Sequence, residues 1–275
     1  MPEITAAMVK EFREKTGLPM LECKKALAEA DGDQEKAIEL LRKSGKKTME
    51  KRQDRVTECG RIAICKGANG VTAMVEILCE SAPVTNNAEF IAMCDGIAKQ
   101  LAEGPGAATV DELFEQPFPG KDVSIRMVFD DLVNKIREVF RCSRILRTDS
   151  KTGTYVHHNN AIGVVLEVEG DNEELANNIC MHVASMNPKA LCDADIPADV
   201  IAKEREIAME QTKQQNANKP QNILEKIVDG RVKAVLKEIC LLDQPYVLDA
   251  AKSVGQAAAD GGLKINKMHH WLLGK

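Results

Sequence analysis

The chain has 275 residues, 44% hydrophobic and 29% charged, with a formal net charge of -5, the profile of an ordinary globular protein of one to three domains. The acidic excess argues against general nucleic-acid binding, which needs a local excess of Lys and Arg to neutralise phosphate, and no stretch is apolar over a length that would span a bilayer, so a cytoplasmic, non-membrane protein is expected. With only 3% aromatic residues, Ala, Val, Ile, Leu and Met must fill the interior, and the strong helix formers among them predict a helix-rich α+β fold with small antiparallel sheets.

The first 45 residues read as three helices. Thr5 caps a helix carrying Met8, Val9 and Phe12, and Thr16-Gly17 ends it. Pro19 suits the first turn of the next helix, in which Cys23, Ala26, Leu27 and Ala30 recur at helical spacing along one face. "DGD" (31–33) closes that helix and caps a third with Ala37, Ile38 and Leu41 inward, expected to stop near Gly45. The pattern resembles a ubiquitin-associated type of domain, and so short a bundle makes a small core suited to binding a partner surface. The basic run "RKSGKKTMEKRQDR" (42–55) has no interleaved aromatics for base stacking, and residues 46–58 are read as a solvated linker.

Beyond the linker the period changes to two. Ile62 and Ile64, then Val71, Ala73, Val75 and Ile77, alternate around Asn69-Gly70, a β-hairpin signal. A helix follows with Phe90, Cys94, Ile97 and Leu101 on one side. "QPFPG" (116–120) is a loop, and a further helix runs towards a strand over 142–146. The plan then repeats: Ile162, Val164, Leu166 and Val168 alternate after Asn159-Asn160, and a helix carries Leu175, Ile179, Val183 and Met186. Residues 59–148 and 149–275 are therefore read as two α+β core units, consistent with duplication. Within the second, residues 196–236 hold two helices around a polar tip at 211–218, with Val200, Ile201, Ile207, Leu224, Ile227, Val228 and Val235 forming a narrow seam that predicts a projecting antiparallel helical hairpin.

Catalytic furniture is sparse. The nine cysteines are scattered without a Cys-x-x-Cys, as expected of reduced, mostly buried thiols. His182 lies on an apolar helix face, where a hydrogen-bonded core histidine is the expectation. His157 and His158 are neighbours near a hairpin turn and would point apart, and His269-His270 has no partner motif. No nucleophile elbow, phosphate loop or dinucleotide fingerprint occurs. No enzyme activity, cofactor or metal is expected; a chain of this size without such groups works through its surfaces.

Several of these stretches together resemble the elongation factor Ts family, the bacterial nucleotide-exchange factors for the GTPase elongation factor Tu. "EFREKTGLPMLECKKALAEADGDQEKAIELLRKSG" is similar to the family's N-terminal domain, and "YVHHNNAIGVVLEV", "MHVASMNPKAL", "KPQNILEKIVDGRVKAVLKEICLLDQPYV" and "KSVGQ" to its C-terminal half, in order. The resemblance covers essentially the whole chain. It implies a partner, elongation factor Tu, met in both its GDP-bound and nucleotide-free forms, and a helical hairpin serving that partner or a homodimer of the complex. It also implies a Cys-x-Thr-Asp-Phe-Val motif at a strand-to-helix corner, whose Asp-Phe pushes in beside the partner's magnesium. Here Cys79 and Val84 match, Ser81 stands for Thr, and Ala82-Pro83 replaces Asp-Phe. The implied exchange region is thus Ser81, Ala82, Pro83 and Val84, with Met20, Lys24 and His157 as weaker contact positions. Loss of the acid and the ring leaves open a second reading, an adaptor or stabiliser that binds without promoting exchange.

Overall fold

A computed structural model describes residues 4–50, 54–215 and 220–275 of the protein. Its helices and strands, in chain order, are α1 (Ala6–Thr16), α2 (Met20–Glu29), α3 (Gln34–Glu50), β1 (Cys59–Lys66), β2 (Thr72–Cys79), α4 (Ala82–Thr85), α5 (Ala88–Glu103), α6 (Val110–Phe114), α7 (Ile125–Ile136), β3 (Arg141–Thr148), β4 (Thr152–Val156), β5 (Ile162–Glu169), α8 (Glu173–Met186), α9 (Ala198–Gln215), α10 (Gln221–Ile239), β6 (Pro245–Tyr246), β7 (Asp249–Ser253), α11 (Val254–Asp260) and β8 (Lys264–Leu272). The chain is helix-rich α+β and separates into two compact units, 1–149 with 272–275, and 150–271.

In the first unit, α1 to α3 close on Val9, Phe12, Leu18, Cys23, Ala26, Leu27 and Ala37. Thr5 caps α1, and Gly17 at φ 68° stops it in the left-handed conformation that costs glycine nothing. One boundary differs from expectation: α3 continues through Gly45 to Glu50. A single interior glycine costs about 1 kcal/mol, and the Lys, Met and Glu around it favour helix enough to carry the turn past it. Only residues 54–58 of the expected linker lie both outside α3 and among the described residues.

The rest of this unit is a three-stranded sheet in the order β1-β2-β3, antiparallel throughout, with Ala63 opposite Val75 and Val75 opposite Ile145. The alternation read from the sequence is real, yet β2 is buried along its whole length, because it is the central strand and is covered on both faces. One face packs Ala73, Val75, Ile77 and Cys79 against Phe90, Cys94, Ile97 and Leu101 of α5 and Leu132 of α7. The other buries Glu76, only 2% exposed, which receives hydrogen bonds from Arg144 and from Ser143 Oγ at 2.8 Å. Arg144 also donates to the carbonyl of Leu272 at 2.8 Å, so the last residues of the chain belong to this unit.

The second unit repeats the plan with β4-β5-β8. Val164, Leu166 and Val168 pack on Ala176, Ile179, Cys180 and Val183 of α8. Met186 departs from the predicted face: it is 47% exposed at the last position of α8, before Asn187 closes the helix in the left-handed conformation. α9 and α10 pair through Ala208, Val228 and Val232, flanked by Ile201, Met209 and Leu236 and by an Arg205–Asp229 ion pair at 2.7 Å. The seam is narrower than predicted, since Val200 and Ile207 are exposed while small Ala208 and Thr212 are buried. Small residues let two helices approach closely. Residues 216–218 of the predicted polar tip lie outside the described residues.

Candidate functional site

β2 ends at Cys79, α5 begins at Ala88, and the eight residues between them include the short helix α4. Pro83 belongs in its first turn, where the missing N–H leaves no bond unmade and φ is already set near the helical value. Asn87 then caps α5, accepting from the backbone N–H of Glu89 at 2.9 Å and of Phe90 at 3.1 Å. Val84 is the anchor. It is buried in the α5–α7 core, and burying a valine side chain is worth about 1.5–3 kcal/mol. Ala82 and Pro83, on the outer side of the same turn, are exposed.

A pair of glutamates holds this corner from the side. Glu138, just after α7, accepts from the Ser81 backbone N–H at 3.0 Å and from the Ser81 hydroxyl. Reciprocally, Glu80 accepts from the Val139 backbone N–H at 2.8 Å, and its second oxygen receives Arg55 at 2.8 Å. The crossed bonds are possible because Arg137 takes φ 66° at the end of α7 and reverses the chain towards β3. Hydrogen bonds to charged acceptors are the stronger kind, so the corner is a fixed projection. The Cys79 thiol donates to the Ser81 carbonyl at 3.4 Å, and burial, helped by nearby Cys59, pushes this thiol up to about 12. It is a packed thiol that keeps its proton in the reduced protein.

The N-terminal bundle reaches the same support. Arg137, one residue from Glu138, pairs with Glu22 in the first turn of α2. Met20 is 47% exposed and Leu21 64% exposed on that turn, and Lys24 is exposed. Ser81, Ala82, Pro83, Val84, Met20 and Lys24 therefore belong to one unit, with the corner and α2 joined through Arg137.

His157 belongs to the second unit, on the β4–β5 turn. Its Nδ1 lies 3.0 Å from the Tyr155 hydroxyl, its backbone N–H donates to the Ile162 carbonyl at 2.9 Å, and its ring lies 4.2 Å from that of His158. It is half-buried and serves the turn while leaving an edge outward. His182 is fully buried: Nδ1 accepts from the Val247 N–H at 3.2 Å, which leaves the ring proton on Nε2, facing Gln244 Oε1 at 2.9 Å. Burial lowers its pKa, so it is a neutral structural histidine. The turn it pins presents Val247, 51% exposed, and Leu248, 63% exposed. That apolar pair, and the Glu80–Glu138 clasp, were missed from the sequence. The pair carried a weak signal, two large apolar residues beside Pro245 in a hairpin; the clasp carried none, because its halves are nearly sixty positions apart.

Among the described residues no group of three or more His, Cys, Asp and Glu could hold a metal, and no helix is long and apolar enough to cross a membrane. What the arrangement offers is rigid, outward-facing contact surface.

A family model described as elongation factor TS matches residues 83–275. An elongation factor Ts of Thioalkalivibrio sulfidiphilus is 37% identical over 99% of this chain and 92% of its own length. Those of Xylella fastidiosa and of Xanthomonas campestris pv. campestris strain B100 are 39% and 38% identical, each over 96% of this chain and 89% of their own length.

Proposed function

Because the chain belongs to the elongation factor Ts family of translation elongation factors, we propose that it binds elongation factor Tu carrying GDP and promotes release of the nucleotide. No bond need be made or broken by this chain. A partner that binds the nucleotide-free form more tightly than the GDP form weakens GDP by the same factor, by thermodynamic reciprocity. GDP is held chiefly through its phosphates and a magnesium ion, so contact that displaces the elements around them suffices.

The observation that carries this reading is the corner of 81–84. It is exposed at Ala82-Pro83, anchored by buried Val84 and clamped at Ser81, so whatever it meets must move around it. A rigid proline and a fixed backbone replace the acid and ring of the resembling motif; shape takes the place of a charged wedge. The apolar turn of α2 at Met20, with Lys24 beside it, supplies contact area from the same unit. In the second unit, His157 and the apolar pair Val247-Leu248 are the corresponding surfaces. We place the complex in the cytoplasm with translation, and α9–α10 serves either this partner or a homodimer of the complex.

Stopped-flow release of a fluorescent GDP from elongation factor Tu tests the assignment. Wild type should accelerate release, Pro83→Ala should slow it, and Ala82→Asp/Pro83→Phe should restore or exceed it. Unchanged rates in both variants would remove the corner from the mechanism. The adaptor reading is favoured by one fact, the missing acid and ring at Ala82-Pro83; complex formation without acceleration would establish it.

A further inference from the structure

Two thiols face each other beneath the corner. Cys59, the first residue of β1, is directly opposite Cys79, the last residue of β2, in the antiparallel ladder. Directly opposed residues in such a ladder have Cα atoms about 4.5–5.5 Å apart and side chains on one face, within the span a disulfide bridges. Both pack on the same core, and all nine cysteines are free thiols. They differ in access: Cys59 is half-buried and Cys79 is fully enclosed. The α4 corner is packed against both β1 and β2, and the Cys79 thiol donates to the Ser81 carbonyl just before it.

We propose that Cys59 and Cys79 are a redox pair that closes to a disulfide under a hydroperoxide and reopens under a dithiol, adjusting the corner above it. The Cys59 thiolate attacks the outer oxygen of the hydroperoxide; the O–O bond breaks, the sulfur loses two electrons and becomes a sulfenic acid, and the leaving oxygen departs as alcohol or water. The Cys79 sulfur then attacks that of Cys59. The S–O bond breaks, and hydroxide leaves with the Cys79 proton as water, so two thiols and one peroxide give one disulfide.

The structural consequence is specific. The Ser81 carbonyl accepts two hydrogen bonds, from the Val84 N–H at 3.3 Å, which opens α4, and from the Cys79 thiol at 3.4 Å. A disulfide sulfur has no proton to donate, so the second bond is lost at the residue that launches the corner. The inference deepens the exchange reading and rests on it for its effect on release, while the bond itself does not.

The experiment treats the full-length protein with hydrogen peroxide, alkylates the remaining thiols and maps disulfide-linked peptides. GDP release and affinity for elongation factor Tu are measured on the same samples before and after dithiothreitol. A Cys59–Cys79 link, with acceleration of release at least fivefold weaker and recovered on reduction, is expected. Cys59→Ser should abolish both the link and the sensitivity while matching reduced wild type. Free thiols at both positions, or a link from Cys79 to Cys94 or Cys142, would overturn the pair. A link that leaves both release and affinity unchanged would overturn the control. If reduced protein binds without accelerating release, the exchange reading fails, and the redox claim is decided by the linked peptides and the affinity.

Discussion

The sheet-and-helix cores of the two units are built to one plan and differ at the connection from central strand to helix. Each has an alternating hairpin, a helix capped by Asn (Asn87 for α5, Asn172 for α8), a third strand beside the second, and a buried glutamate on the central strand. From β5 to α8 the chain needs three residues, 170–172; from β2 to α5 it uses eight. The short connection is closed. Gly170 sits at φ 114°, where a Cβ would lie 2.3 Å from the Gly262 carbonyl oxygen, so no side chain fits there. The long one carries α4, exposed Ala82-Pro83 and the Glu80–Glu138 clasp. Three residues already satisfy the geometry of strand to helix, so the longer connection, with Val84 buried and Ala82-Pro83 exposed, exceeds what the turn itself needs. Under the proposed exchange function that is the surface to test first.

The central-strand glutamates contrast as sharply. Glu76 meets the guanidinium of Arg144 directly, whereas Glu167 meets Ser150 Oγ at 3.0 Å and His269 Nε2 at 2.8 Å, with Lys267 farther off at 3.9 Å. Glu76→Ala, which takes a buried carboxylate away from Arg144 and from the Ser143 hydroxyl, should cost the most, about 3–5 kcal/mol as expected for breaking a buried pair. Glu167→Ala should cost about 1–3 kcal/mol, the range for hydrogen bonds to a lost buried acceptor. Urea unfolding of the two variants measures both, and equal losses would erase the distinction between the units.

Shortening the first connection to match the second, by deleting 82–86, should leave helical circular dichroism near wild type and reduce GDP-release acceleration at least tenfold, within the usual coupling of about 1–3 kcal/mol. Retained acceleration would show that the extra residues are spacer only. Glu138→Ala leaves the Ser81 N–H without its acceptor, a loss of about 1–3 kcal/mol; release should slow several-fold while the complex still forms.

The smallest effect concerns pH. Burial works to raise the Glu167 carboxyl, but the hydrogen bonds from His269 and Ser150 and the nearby Lys267 outweigh it and hold it below its ordinary value. A carboxyl lowered on folding stabilises above its unfolded pKa, about 4.3 for Glu, and that contribution fades as pH falls through the lower folded value. The urea midpoint of wild type should therefore decline below about pH 4.3 more steeply than that of Glu167→Gln. Parallel curves would assign the acid sensitivity elsewhere.

Much of this protein is determined by local pattern. The bundle, both hairpins and their helices follow from spacing and from a cap such as Thr5, because periodicity two or three to four is imposed residue by residue. The resemblance in sequence led to the family, and to 81–84 as the corner of interest. Tertiary structure decided the rest. It covered β2 on both faces and so buried Glu76, carried α3 past Gly45, and set Ala208 and Thr212 into the seam where Ile207 was expected. It also joined Glu138 to Ser81 and Glu22 to Arg137, and laid Cys59 against Cys79. These contacts unite residues from about 20 to about 115 positions apart. Short-range periodicity carries no information about such pairs; they exist only once sheet and helices have packed.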